Sequence, residues 1–205
     1  MNEISDGSVS GAIRRRRMVR AFSPRPLETD FVVGLLETAR RAPSAGNCQA
    51  AGFVLLDSPS LTARYWDTTL PPDRRAGFRW QRLLDAPVLV LVTSEPDCYP
   101  ERYRESDKAA SGLTSLDRWP VPYWWVDAGA VVQNLLLLAV ENSLGACLFG
   151  PFEHEAALMD EFGLPDGLRL VATIALGYPM ADEPGRSAGR PRRPLNDLVI
   201  RPSDL

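Results

Sequence analysis

Short apolar runs alternate along the chain with polar joints rich in proline and glycine, and the runs carry two periods. Over residues 28–42 the apolar positions Phe31, Val32, Leu35, Leu36 and Ala39 recur every three or four residues, which marks one buried helix face. Thr29 or Asp30 is placed to cap that helix, and Pro43 stops it, because a residue before proline avoids the helical region. Residues 8–20 predict a shorter helix with an arginine-dense end, broken by Pro24 and Pro26. Continuous aliphatic and β-branched runs at 53–57, 87–94, 146–150 and 169–177 predict strands, the second most clearly. Ser58 and Pro59 open a helix through Arg64, Tyr65 and Trp66, and another is expected over 73–84. The longest helix spans 123–143, is apolar on more than one side, and ends at Gly145. An amphipathic helix with acids in its first turn covers 153–162.

The joints differ in kind. Residues 43–49, PSAGNCQ, form a short polar loop. Residues 95–120 are polar and weakly periodic, and read as a surface excursion or lid with one short helix. From Pro179 the chain has no core of its own, yet Leu195, Leu198, Val199 and Ile200 form an apolar patch able to dock on another surface. Residues 1–8 read as a disordered start, and nothing in them resembles a signal peptide. Helices separate most strands, so the expected class is an α/β or α+β sandwich in one domain over 1–205.

Composition narrows the function. The 205 residues are 45% hydrophobic and 24% charged with a net charge of -3, which fits a folded domain and lacks the basic excess of a nucleic-acid binder. The apolar stretch 121–150 is interrupted by Asp127, Gln133, Asn134 and Glu141, so it reads as a buried helix and not a membrane span. Cys48, Cys98 and Cys147 show no CxxC spacing, which favours a reducing cytoplasm. His154 is the only histidine, so metal sites built on two or more histidines are excluded. There is no GxSxG elbow, no GxxxxGK[ST] phosphate loop and no GxGxxG fingerprint. Of the 23 basic residues only Lys108 is a lysine; the others are arginines, which bind phosphate bidentately.

Two basic clusters and one loop are candidates for chemistry. Arg14 to Arg17 with Arg20 place several cations together, and on a helix residues 16 and 20 share a face. An anion would relieve their repulsion, which makes a phosphate clamp; the plainer reading is a solvated helix end. Arg186, Arg190, Arg192 and Arg193 form a second cluster, whose plainer reading is a basic tail. In the 43–49 loop Gly46 permits close backbone approach, while Ser44, Asn47 and Gln49 offer donors and acceptors; a capped turn would use the same residues.

These segments together resemble one family. RRMVRAF (16–22), ARRAPSAGNCQ (39–49), DAGAVVQNLLLLAVENSLGACLFGPF (127–152) and RLVATIALGYP (169–179) with its arginine-bearing tail are similar, in order and spacing, to the flavin-dependent nitroreductase family. The resemblance runs over roughly residues 12–200. It implies an α+β, three-layer sandwich around a mostly antiparallel sheet, and a homodimer with FMN at its interface. The C-terminal arm, 179–205, would cross onto the partner, and the 123–143 helix would pack on its twin. The family pattern assigns Arg16 to the FMN phosphate, with Arg17 and Met18 in the next motif positions and Arg20 or backbone as the source of the phosphate or ribityl hydrogen bond that Met18 does not make. Pro43, Ser44, Ala45, Asn47 and Gln49 would lie along the flavin ring. The backbones of Phe149 and Gly150 would approach the ring's reactive nitrogen, and Arg190 and Arg192, or Arg193, would close on the phosphate. Met18 stands where the family has serine, and Ala50-Ala51 where it has Pro-Trp.

The implied activity is FMN-dependent transfer from NADH or NADPH to a small aromatic, quinone or nitro acceptor, by a ping-pong cycle that needs no catalytic side chain. A flavin- or deazaflavin-dependent oxidase of a specialised metabolite, a non-catalytic flavin-binding protein and a dimeric scaffold with an empty site are the alternatives. His154 is expected to cap or begin the 153–162 helix. Among Tyr65, Trp66, Phe78, Trp80, Tyr99, Tyr103, Trp119, Tyr123, Trp124 and Trp125, some are expected in the core and a subset as a lid over the ring.

Overall fold

A computed structural model describes residues 8–181, 185 and 187–201. Residues 1–7 and Arg186 of the tail cluster lie outside the described residues. The elements run α1 (Val9–Arg15), α2 (Thr29–Ala39), β1 (Ala51–Leu56), α3 (Pro59–Thr69), α4 (Pro72–Arg75), β2 (Val88–Ser94), α5 (Cys98–Arg102), α6 (Tyr123–Glu141), β3 (Gly145–Phe149), α7 (Glu155–Glu161) and β4 (Arg169–Gly177). The strands form one antiparallel sheet in the order β1-β2-β4-β3.

The fold is an α+β sandwich in three layers. Val88, Val90 and Val92 of the central strand β2 point to one face and pack, with Ile174 of β4, against α2 and α6 through Val32, Leu35, Val131 and Leu135. Leu89 and Leu91 point to the other face, among Tyr65, Trp66, Leu158 and Phe22. Both faces of β2 are covered, so its sequence is a continuous apolar run instead of an alternating one. A bulge between Val92 and Thr93 turns Leu170 onto the second face while Ala172 stays on the first. Tyr65 bridges α3 to the sheet with a 2.9 Å hydrogen bond to Thr173 Oγ1, and burial pushes its phenol up to about 12. Tyr65→Phe should therefore cost about 1 kcal/mol or more, because the Thr173 hydroxyl loses a buried partner; thermal melting would show a fall of about 2–4 °C.

Several boundaries differ from the sequence pattern, each for a physical reason. Ser8 belongs to the ordered chain: its hydroxyl accepts the Gly11 N–H at 3.1 Å and caps α1. The helix expected over 8–20 stops at Arg15, and Arg16 turns to φ −52°, ψ 127°. From there Met18–Phe22 runs along the outer edge of β3, where Val19 N donates to Ala146 O at 2.9 Å. That pairing satisfies an otherwise open strand edge. Neither Thr29 nor Asp30 caps α2; Glu28 stands at the cap without a side-chain bond, and Thr29 Oγ1 donates to Asp57 Oδ2. The helix expected over 73–84 is two short pieces, Pro72–Arg75 and a 3-10 turn at Gln81–Leu83, parted around Gly77. Ser143, not Gly145, makes the left-handed turn after α6, with φ 58°, and Gly145 already begins β3.

By length and composition α6 could cross a bilayer. In this structure six of its residues, including Val131, Leu135 and Ala139, are buried in the core with α2 and the sheet.

Candidate functional site

The extended Arg16–Arg20 segment lines a cleft of about 1150 Å³. Arg14, Arg16, Arg17, Arg20 and Arg192 all line it, with no aspartate or glutamate among the described lining residues. Ser187, Ala188 and Gly189 of the tail complete the wall. The arginines therefore gather, but chiefly along an extended segment and not on one helix face. Arg17 Nη1 donates to the carbonyls of Arg14 and Arg16 at 2.8 and 3.0 Å, which folds the cluster over itself. Arg192 lies in the wall; Arg190 does not, and its N–H closes a turn onto Ser187 O.

Met18, in the family's serine position, has a structural task. Its sulfur accepts the Leu148 N–H of β3 at 3.4 Å, and its side chain packs against the cores on both faces of the sheet. Arg20 Nη1 donates to Met18 O at 3.2 Å.

Arg20 also borders a second cavity of about 340 Å³. Six aromatic side chains line this one: Tyr65, Trp66, Phe78, Trp80, Phe149 and Phe152. Trp66 and Phe149 stack with centroids 5.9 Å apart, and the guanidinium carbons of Arg20 and Arg79 stand 5.2 and 4.4 Å from the centre of Trp80. Gly150 lies in the same wall, directly under the Phe152 ring. Phe152 itself has φ 42°, an uncommon conformation for a bulky residue, and is 78% exposed. His154 precedes α7 as expected, makes no side-chain capping bond there, and is among the residues lining this cavity.

The 43–49 loop lies apart from both cavities, whose lining includes none of Pro43, Ser44, Ala45, Asn47 or Gln49. It is tightly built. Gly46, Asn47 and Gln49 have φ of 61°, 57° and 54°. A Cβ on Gly46 would sit 2.6 Å from the Tyr103 ring, so only glycine fits. Ser44 Oγ accepts Gln49 N at 3.0 Å, and Arg102 Nε donates to Gly46 O at 2.9 Å. Ala45 N donates to Asp127 Oδ2 at 2.8 Å. Thus the first part of the 95–120 excursion braces this loop from below. The Lys108 ammonium stands 5.9 Å from the centre of the Tyr103 ring.

Burial pushes the Cys48 thiol up to about 11 and the Cys98 thiol up to about 12. Both stay protonated at neutral pH, which argues against thiolate chemistry beside the loop. Burial, with the hydrogen bond to Asp127 second, raises the Tyr99 phenol further. Among the described residues no three of His, Cys, Asp and Glu are grouped to hold a metal.

The expected aromatics divide cleanly. Tyr65, Trp66, Phe78 and Trp80 line the second cavity, whereas Tyr99, Tyr103, Trp119, Tyr123 and Trp124 pack on one another beside the loop. Trp125 lies under the Arg169 guanidinium. Sequence reasoning missed Arg79 and Phe152. It also counted Asp127 and Asn134 only as interruptions of an apolar helix. Polar residues seven apart on such a helix share a face, and that was the available signal.

With this geometry in place, comparison with known proteins is decisive at the family level. The sequence pattern described as the nitroreductase family matches residues 13–178.

The chain belongs to the nitroreductase family.

It is an oxidoreductase of that family. A protein of Archaeoglobus fulgidus, provisionally named an NADH dehydrogenase/NAD(P)H nitroreductase, is 25% identical over 170 residues, covering 82% of this chain and 83% of its own. The 4-nitrobenzoate reductase of Nocardioides sp. (strain LMS-CY) is 28% identical over 214 residues, covering 91% and 87%. A provisionally named nitroreductase of Exiguobacterium sibiricum, solved in complex with FMN, superposes with a TM-score of 0.70 at 19% identity, covering 98% and 99%; at that identity the likeness speaks for the fold. The nitroreductase-like α+β fold is thus shared over nearly the whole chain.

Proposed function

We propose that the protein binds FMN and carries electrons from NADH or NADPH to a nitroaromatic or quinone acceptor. The observation that carries this reading is the arginine cleft beside an aromatic cavity: Arg20 lines both, and Gly150 lines the second. Five guanidiniums, with no carboxylate among the described lining residues, fit a phosphate, and a wall of aromatic residues fits a flat heterocycle. Bound there, FMN supplies two-electron transfer between a nicotinamide and an acceptor that use the site in turn.

The chain's own residues hold and orient. Arg16, Arg17 and Arg192 would hold the phosphate, and Arg20 the junction between chain and ring. The extended Met18–Phe22 segment keeps those arginines fixed against β3. Around Gly150 the aromatic wall would shield a bound ring from part of the solvent, which would strengthen hydrogen bonds made to it. The 43–49 loop, lying apart from these cavities, reaches a flavin ring most simply when a second copy supplies it. We therefore propose a homodimer, with the exposed Val9, Ile13, Val126 and tail residues Leu195, Leu198, Val199 and Ile200 as its contact surface. The arm from 179 onward would then reach the partner. The activities named for the relatives support a reductase, and three free cysteines suit a reducing cytoplasm.

The test is direct. Purified protein mixed with FMN and desalted should retain flavin absorbance, and should oxidise NADH or NADPH in the presence of 4-nitrobenzoate. Loss of all flavin on the column would overturn the cofactor assignment. Retained flavin without turnover would favour a flavin-binding protein.

A further inference from the structure

The geometry points to Asp127 as a positioning residue that sets the conformation of the 43–49 loop, and this inference rests on the proposal that the loop faces FMN. Asp127 is 7% exposed on the second turn of α6. Its Oδ2 accepts two hydrogen bonds, from Ala45 N at 2.8 Å and from the fully buried Tyr99 hydroxyl at 2.8 Å. Among the described residues Oδ1 has no hydrogen-bond partner. Two turns along the same face, Asn134 Nδ2 donates to Ala39 O at 3.1 Å, at the C-terminal end of α2. One face of α6 thus grips the chain just before the loop and again within it.

Such an anchor is needed. Three residues of the loop occupy left-handed backbone, two of them not glycine, and such conformations persist only where the surroundings fix them. The outcome of the grip is that Asn47 and Gln49 are exposed while Cys48 turns inward toward Ala50, Tyr99 and Trp119. A carboxylate that takes both donors on one oxygen acts here through its position, and an amide oxygen can do the same, having two lone pairs.

The prediction follows from that equivalence. In Asp127→Ala the Ala45 N–H loses its partner, FMN should bind at least about tenfold more weakly, and the amides of residues 45–49 should exchange with deuterium at least about tenfold faster. Asp127→Asn should stay within about threefold of the parent in both measurements. Titration of the parent and both variants with FMN, alongside hydrogen exchange by mass spectrometry, reads both effects. An alanine variant that binds FMN as tightly as the parent overturns the proposal. So does an asparagine variant as impaired as alanine, which would assign the effect to charge. If Asp127→Ala does not fold, Tyr99→Phe removes one donor only and should still speed exchange at residues 45–49 about threefold; no change there also overturns it. A parent that binds no FMN refutes the cofactor reading instead, while the exchange comparison still judges the anchor.

Discussion

Replacing Arg16 and Arg192 together by alanine is expected to weaken FMN binding by about 100-fold or more. Both line the same cleft, from opposite ends of the chain. A hydrogen bond to a charged group contributes about 1.5–3 kcal/mol, and about 1.4 kcal/mol is a factor of ten in affinity. Two such losses give about 100-fold even at the lower bound, which suits an open, salt-screened cleft. Arg190→Ala is the matched control and should change affinity less than about threefold, since Arg190 lies outside the cleft wall. Fluorescence titration at two salt concentrations checks all three proteins. Tight binding by the double variant would remove the phosphate clamp from the proposal.

The second large effect concerns the fold that holds the clamp. Phe22→Ala should lower stability by about 3–5 kcal/mol, the usual cost of emptying a buried phenylalanine site. Phe22 has no exposed surface, and its ring packs so close to Gly177 that a Cβ there would lie 3.1 Å from it. Its own N–H donates to Arg82 O, and the next, from Ser23, to Tyr178 O. For a chain of this size the melting temperature should fall by about 10 °C. The same change frees the Met18–Phe22 segment from β3, so flavin affinity should fall with it. Unchanged melting of Phe22→Ala would mean that the segment is not held by its phenylalanine.

Much of this architecture was legible in the chain. The β2 run from Val88 and the 3.6-residue pattern of Phe31 to Ala39 are dominated by burial, and burial writes itself into hydrophobic spacing. The failures share a cause. Arg16–Arg20 leaves the helix because the edge of β3 offers its backbone a partner, and no local pattern announces a strand edge as far along the chain as Ala146 is from Val19. The α6 cap at Ser143 likewise depended on a left-handed serine where glycine was the expected residue. For the site, the two arginine clusters were visible in the sequence, but that segments from opposite ends of the chain line one cleft was not. The anchor at Asp127 was hidden because a buried carboxylate and an interruption in an apolar helix look the same until the loop it holds is placed. The division of the ten aromatics between a cavity and a brace was equally invisible, as both uses call for large flat side chains.

The near-total choice of arginine over lysine has a practical consequence. Lys108 is the single lysine of the chain, and its ammonium lies beside the Tyr103 ring that packs on Gly46. Above the pH at which the α-amino group is selectively labelled, an amine-reactive dye has one side-chain target, and that target adjoins the loop. A fluorophore placed there would report loop motion by its own emission, with no engineered cysteine and without modifying any guanidinium of the cleft.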